Sequence, residues 1–239
     1  MRVGMRRLRS CRQLFKPWLT PLEKAHTEQL LEHYKKFGRW RDNDMLWLEL
    51  QPKLVAAGLP AAKKLEPPKG ARRNPRLLAA NQAYQLLLLE NLRNLVLGQG
   101  LINKADAPEQ TQRLVYRLNR TWIRIQALID SFEELTPQQR HYLRNQIKRL
   151  RYNLEALGYE EASPLYLYLA KAQDQLGHLC DAYVAKNWYQ TQAVNSTQKQ
   201  FALDWLKKKI EKYDLKSKKT LSLLQSQRLN LKVLELVSQ

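Results

Sequence analysis

The chain has 239 residues, 44% hydrophobic and 26% charged, which is globular usage and enough chain for one large domain or two compact units. Lysine and arginine number 41 against 22 aspartate and glutamate, and the formal net charge of +19 exceeds what solubility needs, so an anionic partner is expected. Two cysteines, Cys11 and Cys180, with no CxxC, exclude a disulfide framework and a Cys-rich zinc site, and the longest apolar runs, such as 86–89, fall far short of the roughly 20 residues that span a bilayer.

Apolar residues recur three and four apart along nearly the whole chain, and β-branched runs of period two are missing, so the fold class reads as all-α. Predicted helices cover residues 2–16, 21–36, 41–57, 75–98, 109–131, 137–157, 164–177, 179–194, 197–213 and 217–237. The two lone cysteines fit a reducing cytosol, and the first helix is arginine-rich and follows Met1 with no apolar core of a signal peptide. Thr20-Pro21 opens the second, as Thr136-Pro137 and Ser163-Pro164 open later ones: a capping residue followed by proline at the first helical position. His26 and His33 lie seven apart, beyond the i, i+4 spacing of a helical metal pair, and no metal site or cofactor is expected. Residues 58–75, with Pro60, Pro67, Pro68, Gly70, Arg72 and Arg73, lack periodicity and read as a basic loop, a candidate ligand arm. A second break at 98–108 sets the expected boundary between an N-terminal bundle, 1–102, and a C-terminal bundle, 103–239. Trp40, Trp47, Trp122, Trp188 and Trp205 stand at helical spacing and read as core. The lysines between 207 and 219 spread around their helix and read as a solvated surface.

The two halves share an ordered pattern. Arg2, Met5, Arg6, Arg7, Leu8 and Arg9 fall on Arg144, Ile147, Lys148, Arg149, Leu150 and Arg151 with one constant offset, six chemical matches in eight positions. Phe37, Gly38 and Asp42 fall on Leu176, Gly177 and Asp181 at nearly the same offset, and two motifs repeated in order point to internal duplication. At about 100° per residue, Arg2, Arg6 and Arg9, extended by Lys16, share one sector of their helix, opposite Leu8, Cys11, Phe15 and Leu19. His141, Arg144, Lys148 and Arg151 form the equivalent stripe, away from Leu143, Ile147, Leu150 and Leu154. A single basic stripe is often a solvated face; two copies without intervening acids, where like charges destabilise the helix, ask for a polyanion. Arginine suits it, since its planar fork donates two parallel bonds to phosphate oxygens. Arg7 and Arg149 sit nearer the helix boundary, where ion pairs with Asp42 and Asp181 compete with ligand binding, and His141 reads equally as a structural histidine or a phosphate donor.

These residues resemble the CHAD domain, the conserved histidine α-helical domain. Its His-x-x-Arg-x-x-x-Lys/Arg-Arg-Leu-Arg helix is matched by His141, Arg144, Lys148, Arg149, Leu150 and Arg151, and its Gly-x-x-x-Asp segment by Gly177 and Asp181. The first copy matches through Arg2, Arg6, Arg7, Leu8 and Arg9, then Gly38, Arg41, Asp42 and Asp44; its histidine would fall ahead of Met1, so this copy is expected to be truncated at its start. The resemblance covers essentially the whole chain. It implies two pseudo-symmetric helical bundles, binding of inorganic polyphosphate rather than catalysis, and a cytoplasmic location in association with polyphosphate granules. Nucleic acid is the alternative ligand, but no aromatic-rich RNA-binding signature, zinc finger or recognition helix is present. A triphosphatase would need carboxylates to hold a divalent metal, and neither a Glu-x-Glu-x-Lys motif nor a P-loop occurs.

Overall fold

In the computed structural model, which describes residues 2–60, 75–97, 107–159, 162–191 and 195–231, the helices in chain order are α1 (Arg2–Leu14), α2 (Pro21–Asp44), α3 (Gln51–Ala56), α4 (Pro75–Ala79), α5 (Gln82–Val96), α6 (Ala107–Asp130), α7 (Pro137–Ala156), α8 (Pro164–Thr191) and α9 (Ser196–Gln225). The described residues contain no β-strand, and the fold is all-α. The three Thr/Ser-Pro pairs act as caps. Thr20 Oγ1 accepts from Glu23 N and Ser163 Oγ from Tyr166 N, both at 3.3 Å. Thr136 forms a full capping box: Gln139 N donates to Thr136 Oγ1 at 3.3 Å, and Thr136 N donates to Gln139 Oε1 at 2.8 Å.

Several predicted breaks are absent. Helix α2 continues through residues 37–40 and passes into a wide π turn, Met45–Leu50, before α3. Pro52 accounts for this turn: it has no N–H for the carbonyl of Leu48, and its ring pushes that carbonyl aside, so the ladder widens instead of ending. Helix α8 runs unbroken past Gly177, and α9 unbroken through 213–217, where Ser217 and Thr220 are buried beside the core residues Leu221 and Leu224. Conversely, the single helix predicted over 75–98 divides at Asn81, whose Oδ1 accepts from Tyr84 N at 3.1 Å and caps α5. Residues 61–74, within the expected basic loop and with Arg72 and Arg73, and the expected boundary at 102/103 lie outside the described residues, as do the side chains of Arg2 and of residues 36–43.

Burial explains the long helices. Leu143, Ile147, Leu150 and Leu154 of α7 pack against Leu118 and Ile125 of α6, Leu169, Leu176 and Leu179 of α8, and Leu221 and Leu224 of α9; Leu14 brings α1 into the same core. Burying each such side chain contributes about 1.5–3 kcal/mol. A second cluster seats the π turn and α3 on α8 and α9 through Met45, Leu46, Leu50, Leu54, Ala185, Tyr189 and Leu206, with Trp47 edge-on to Trp188. A third, Met5, Leu30, Tyr84 and Leu87, joins α1, α2 and α5.

On the face of α1 away from α7, buried Arg12 is ion-paired with Glu23 and bonded to Asn91, and its Nη1 donates to Thr27 Oγ1 at 2.9 Å. His26 belongs to this network: Glu23, one helical turn before it, lies 3.6 Å from Nδ1, and Glu90 of α5 lies 3.4 Å from Nε2. A buried arginine, two carboxylates, a histidine and two asparagines thus fasten α1, α2 and α5 together.

Candidate anion-binding site

Helices α1 and α7 pack side by side and leave between them a cleft of about 410 Å³. Helix α1 supplies Arg6, Arg9, Ser10 and Gln13, and α2 supplies Tyr34; α7 supplies His141, Tyr142, Arg144, Asn145, Gln146, Lys148, Arg149 and Tyr152. Five of these residues are permanent cations, and none is a carboxylate. The volume falls in the range of ordinary ligand sites, but the lining differs from that of an apolar small-molecule pocket and suits an extended, multiply charged anion.

Arg6 and Arg9 share a neutral partner in Tyr34. Arg6 Nε donates to Tyr34 Oη at 3.0 Å, and the Arg9 guanidinium stands 5.6 Å from the centre of the same ring. Arg9 Nε is buried with no hydrogen-bond partner among the described residues. Arg144 Nε approaches the Gln173 carbonyl oxygen of α8 at 3.4 Å. The Arg144 guanidinium lies on Gly177: a β-carbon built there would meet Arg144 Nη2 at 2.8 Å and Cζ at 3.3 Å. Glycine at this mid-helix position leaves room for the cation. Beneath it, burial pushes the Cys180 thiol pKa up, with Arg144 and Lys148 pulling the other way.

Arg149 is half-buried, and its guanidinium pKa is lowered, first by burial and then by the cations of Arg9, Arg124 and Arg117. No carboxylate pairs with it among the described residues, so the ion pair weighed for it with Asp181 does not form. Arg7 does form an ion pair, with Glu155 of α7; the Asp42 side chain lies outside the described residues.

Not every stripe residue reaches the cleft. Arg151 turns to α8, where Nε donates to Gln173 Oε1 at 3.2 Å and Nη1 to Tyr166 Oη at 3.3 Å, and its guanidinium stacks over Tyr152 at 4.8 Å. Lys16 lies beyond the end of α1 in a one-turn 3-10 helix, Lys16–Trp18, and is exposed away from the lining. The two aligned stretches therefore contribute unequally: Arg9 lines the cleft while its counterpart Arg151 does not, and Arg149 lines it while its counterpart Arg7 does not.

A family model for the CHAD domain matches residues 1–190. The chain belongs to the CHAD domain family. Within this CHAD domain the motif residues His141, Arg144, Lys148 and Arg149 all line the cleft, and Gly177 seats one of them. The match stops at 190, short of the whole-chain coverage expected from the motifs: α9 lies outside it, although Ala202, Leu206, Leu221 and Leu224 complete the CHAD domain's core. Neither the curated proteins nor the solved structures contain a match to the chain. No helix among the described residues is long and apolar enough to cross a membrane.

Sequence reasoning missed Tyr34 and Gln13, which carry no charge signal. It also missed an arginine row on α6. Arg113, Arg117, Arg120 and Arg124 recur at spacings of four, three and four, a pattern legible in the sequence but hidden by the search for repeats. Arg117 Nη2 donates to the carbonyl oxygen of Gln13, at the end of the cleft, at 2.7 Å.

Proposed function

We propose that this CHAD domain binds inorganic polyphosphate in the cleft between α1 and α7, without breaking it down. The observation that carries the reading is the set of five permanent cations, drawn from two helices into one cleft whose lining holds no carboxylate. Family membership supports a polyphosphate-related role. In this reading the chain is an internal duplication with halves 1–102 and 103–239, each giving one ridge, and polyphosphate granules in the cytoplasm are where the protein would be found. A lining without carboxylates supports binding over metal-assisted hydrolysis, which needs oxygen ligands for a divalent ion.

Nucleic acid is the second reading, favoured by the tyrosines of the cleft. Tyr34 is occupied by Arg6 and Arg9, and Tyr152 is only 3% exposed, which leaves Tyr142, at 43%, as a single platform for a base. Sequence-blind binding of single strands ordinarily uses several such platforms.

Titration of the full chain with long-chain polyphosphate at several salt concentrations tests the proposal. The five cations of the cleft, at the coefficient for single-stranded polyanions, contribute roughly −3.5 to the log–log salt slope. Absence of binding at low salt would end the reading, and displacement by single-stranded nucleic acid at equal phosphate concentration would favour the alternative. Phosphate release in the presence of magnesium or manganese would overturn the non-catalytic part.

A further inference from the structure

Between residues 110 and 129, α6 carries four arginines and no carboxylate. Their spacing places them on one face of the helix, where like charges three and four residues apart repel and destabilise it. Arg113 is paired with Glu109. Arg120 and Arg124 are exposed, and no carboxylate pairs with either among the described residues; Arg120 is steadied by the ring of Tyr116, 5.7 Å away. Arg117 is anchored to Gln13, a residue of the cleft, yet its Nε is buried with no hydrogen-bond partner among the described residues. Arg149, inside the cleft, is close enough to feel both Arg117 and Arg124 as well as Arg9. The cations of α1, α6 and α7 therefore form one continuous field rather than two separate surfaces.

We infer that the arginine face of α6, formed by Arg117, Arg120 and Arg124, is a second binding segment for the same phosphate chain, entered from the cleft past Gln13 and Arg149. The inference rests on the cleft being a polyphosphate site and adds a chain-length rule to it. A ligand of a few phosphates fills the cleft alone. A longer one continues along α6, where Arg117 to Arg124 cover roughly 10 Å of helix. The non-bridging oxygens of linked phosphates and planar guanidinium forks match in charge and in donor geometry, and each added contact releases counterions.

The test compares tripolyphosphate with long-chain polyphosphate on the full chain, using wild type, R120Q/R124Q and the cleft variant R6Q/R144Q. Both residues of the α6 variant are exposed and outside the core, and an unchanged thermal melt checks the fold. The α6 variant is expected to hold tripolyphosphate within about twofold of wild type. It should bind the long chain at least about tenfold more weakly, with a salt slope shallower by roughly 1.4. R6Q/R144Q is expected to weaken both ligands. If R120Q/R124Q leaves long-chain affinity and slope unchanged, or weakens both lengths equally, the α6 segment is refuted while the cleft stands. If wild type binds neither length, the cleft reading fails and the α6 segment with it.

Discussion

At Gly177 a β-carbon would stand 2.8 Å from Arg144 Nη2, and the atom it displaces is the tip of a flexible side chain. The helix itself would gain, since alanine is better than glycine in a helix interior by up to about 1 kcal/mol. Gly177→Ala is therefore expected to leave the melting temperature unchanged or slightly raised while weakening polyphosphate binding severalfold, as read by thermal melts and titration side by side. A large loss of stability with intact affinity would show that Arg144 needs no such seat. Much of this site is legible from residue types: Arg6, Arg9, His141, Arg144, Lys148 and Arg149 are all in the sequence motifs, and all line the cleft. What the residues alone do not reveal is which guanidinium groups are already engaged. Arg151 has the same charge and nearly the same phase as Arg144, and only the approach of Tyr166 and Gln173 diverts it, while Arg7, off the stripe, is taken by Glu155.

Between elements, two buried polar contacts fix the framework around the cleft. Arg12 and Glu23 are both almost fully buried, and removing one partner leaves the other as an uncompensated charge. Arg12→Ala is expected to cost about 3–5 kcal/mol in urea unfolding, and R12L/E23L to cost distinctly less, because an apolar pair carries no stranded charge. A small effect of R12A would mean that α1 is held without this lock.

Tyr189 Oη donates to Gln51 Oε1 at 2.7 Å, tying α8 to α3, and burial pushes its phenol pKa up to about 12 from the ordinary 10. The unfolded chain ionises first as pH rises, so this contribution to stability is complete below about pH 10 and is lost between about 10 and 12, on the order of 2 kcal/mol. Tyr189→Phe should flatten that part of the alkaline stability profile; an unaltered profile would contradict it. Helix starts were legible because Thr20, Thr136 and Ser163 cap locally. Helix ends at 36, 177 and 213 were not, because burial carries the chain through glycine and polar residues that would stop an isolated helix.

Across the whole molecule, the net charge of +19 is distributed unevenly in its consequences. On α9, Lys218 is paired with Glu133 and Asp214, Lys199 Nζ donates to the Gln190 carbonyl oxygen, and Lys209 rests 4.3 Å from the ring of Trp205. These contacts fit the solvated-surface reading of the C-terminal lysines. Where α1, α6 and α7 come together, Arg149 has the cations of Arg9, Arg117 and Arg124 around it instead. The overall charge was plain from composition, but its concentration on three adjacent helices depends on how the helices pack, which no single stretch of sequence encodes. A crystal structure grown with tripolyphosphate measures the outcome directly. The phosphates are expected between Arg6 and Arg9 on one side and Arg144, Lys148 and Arg149 on the other; ligand density on the lysine face of α9, with the α1–α7 cleft left to solvent, would contradict the assignment of the site.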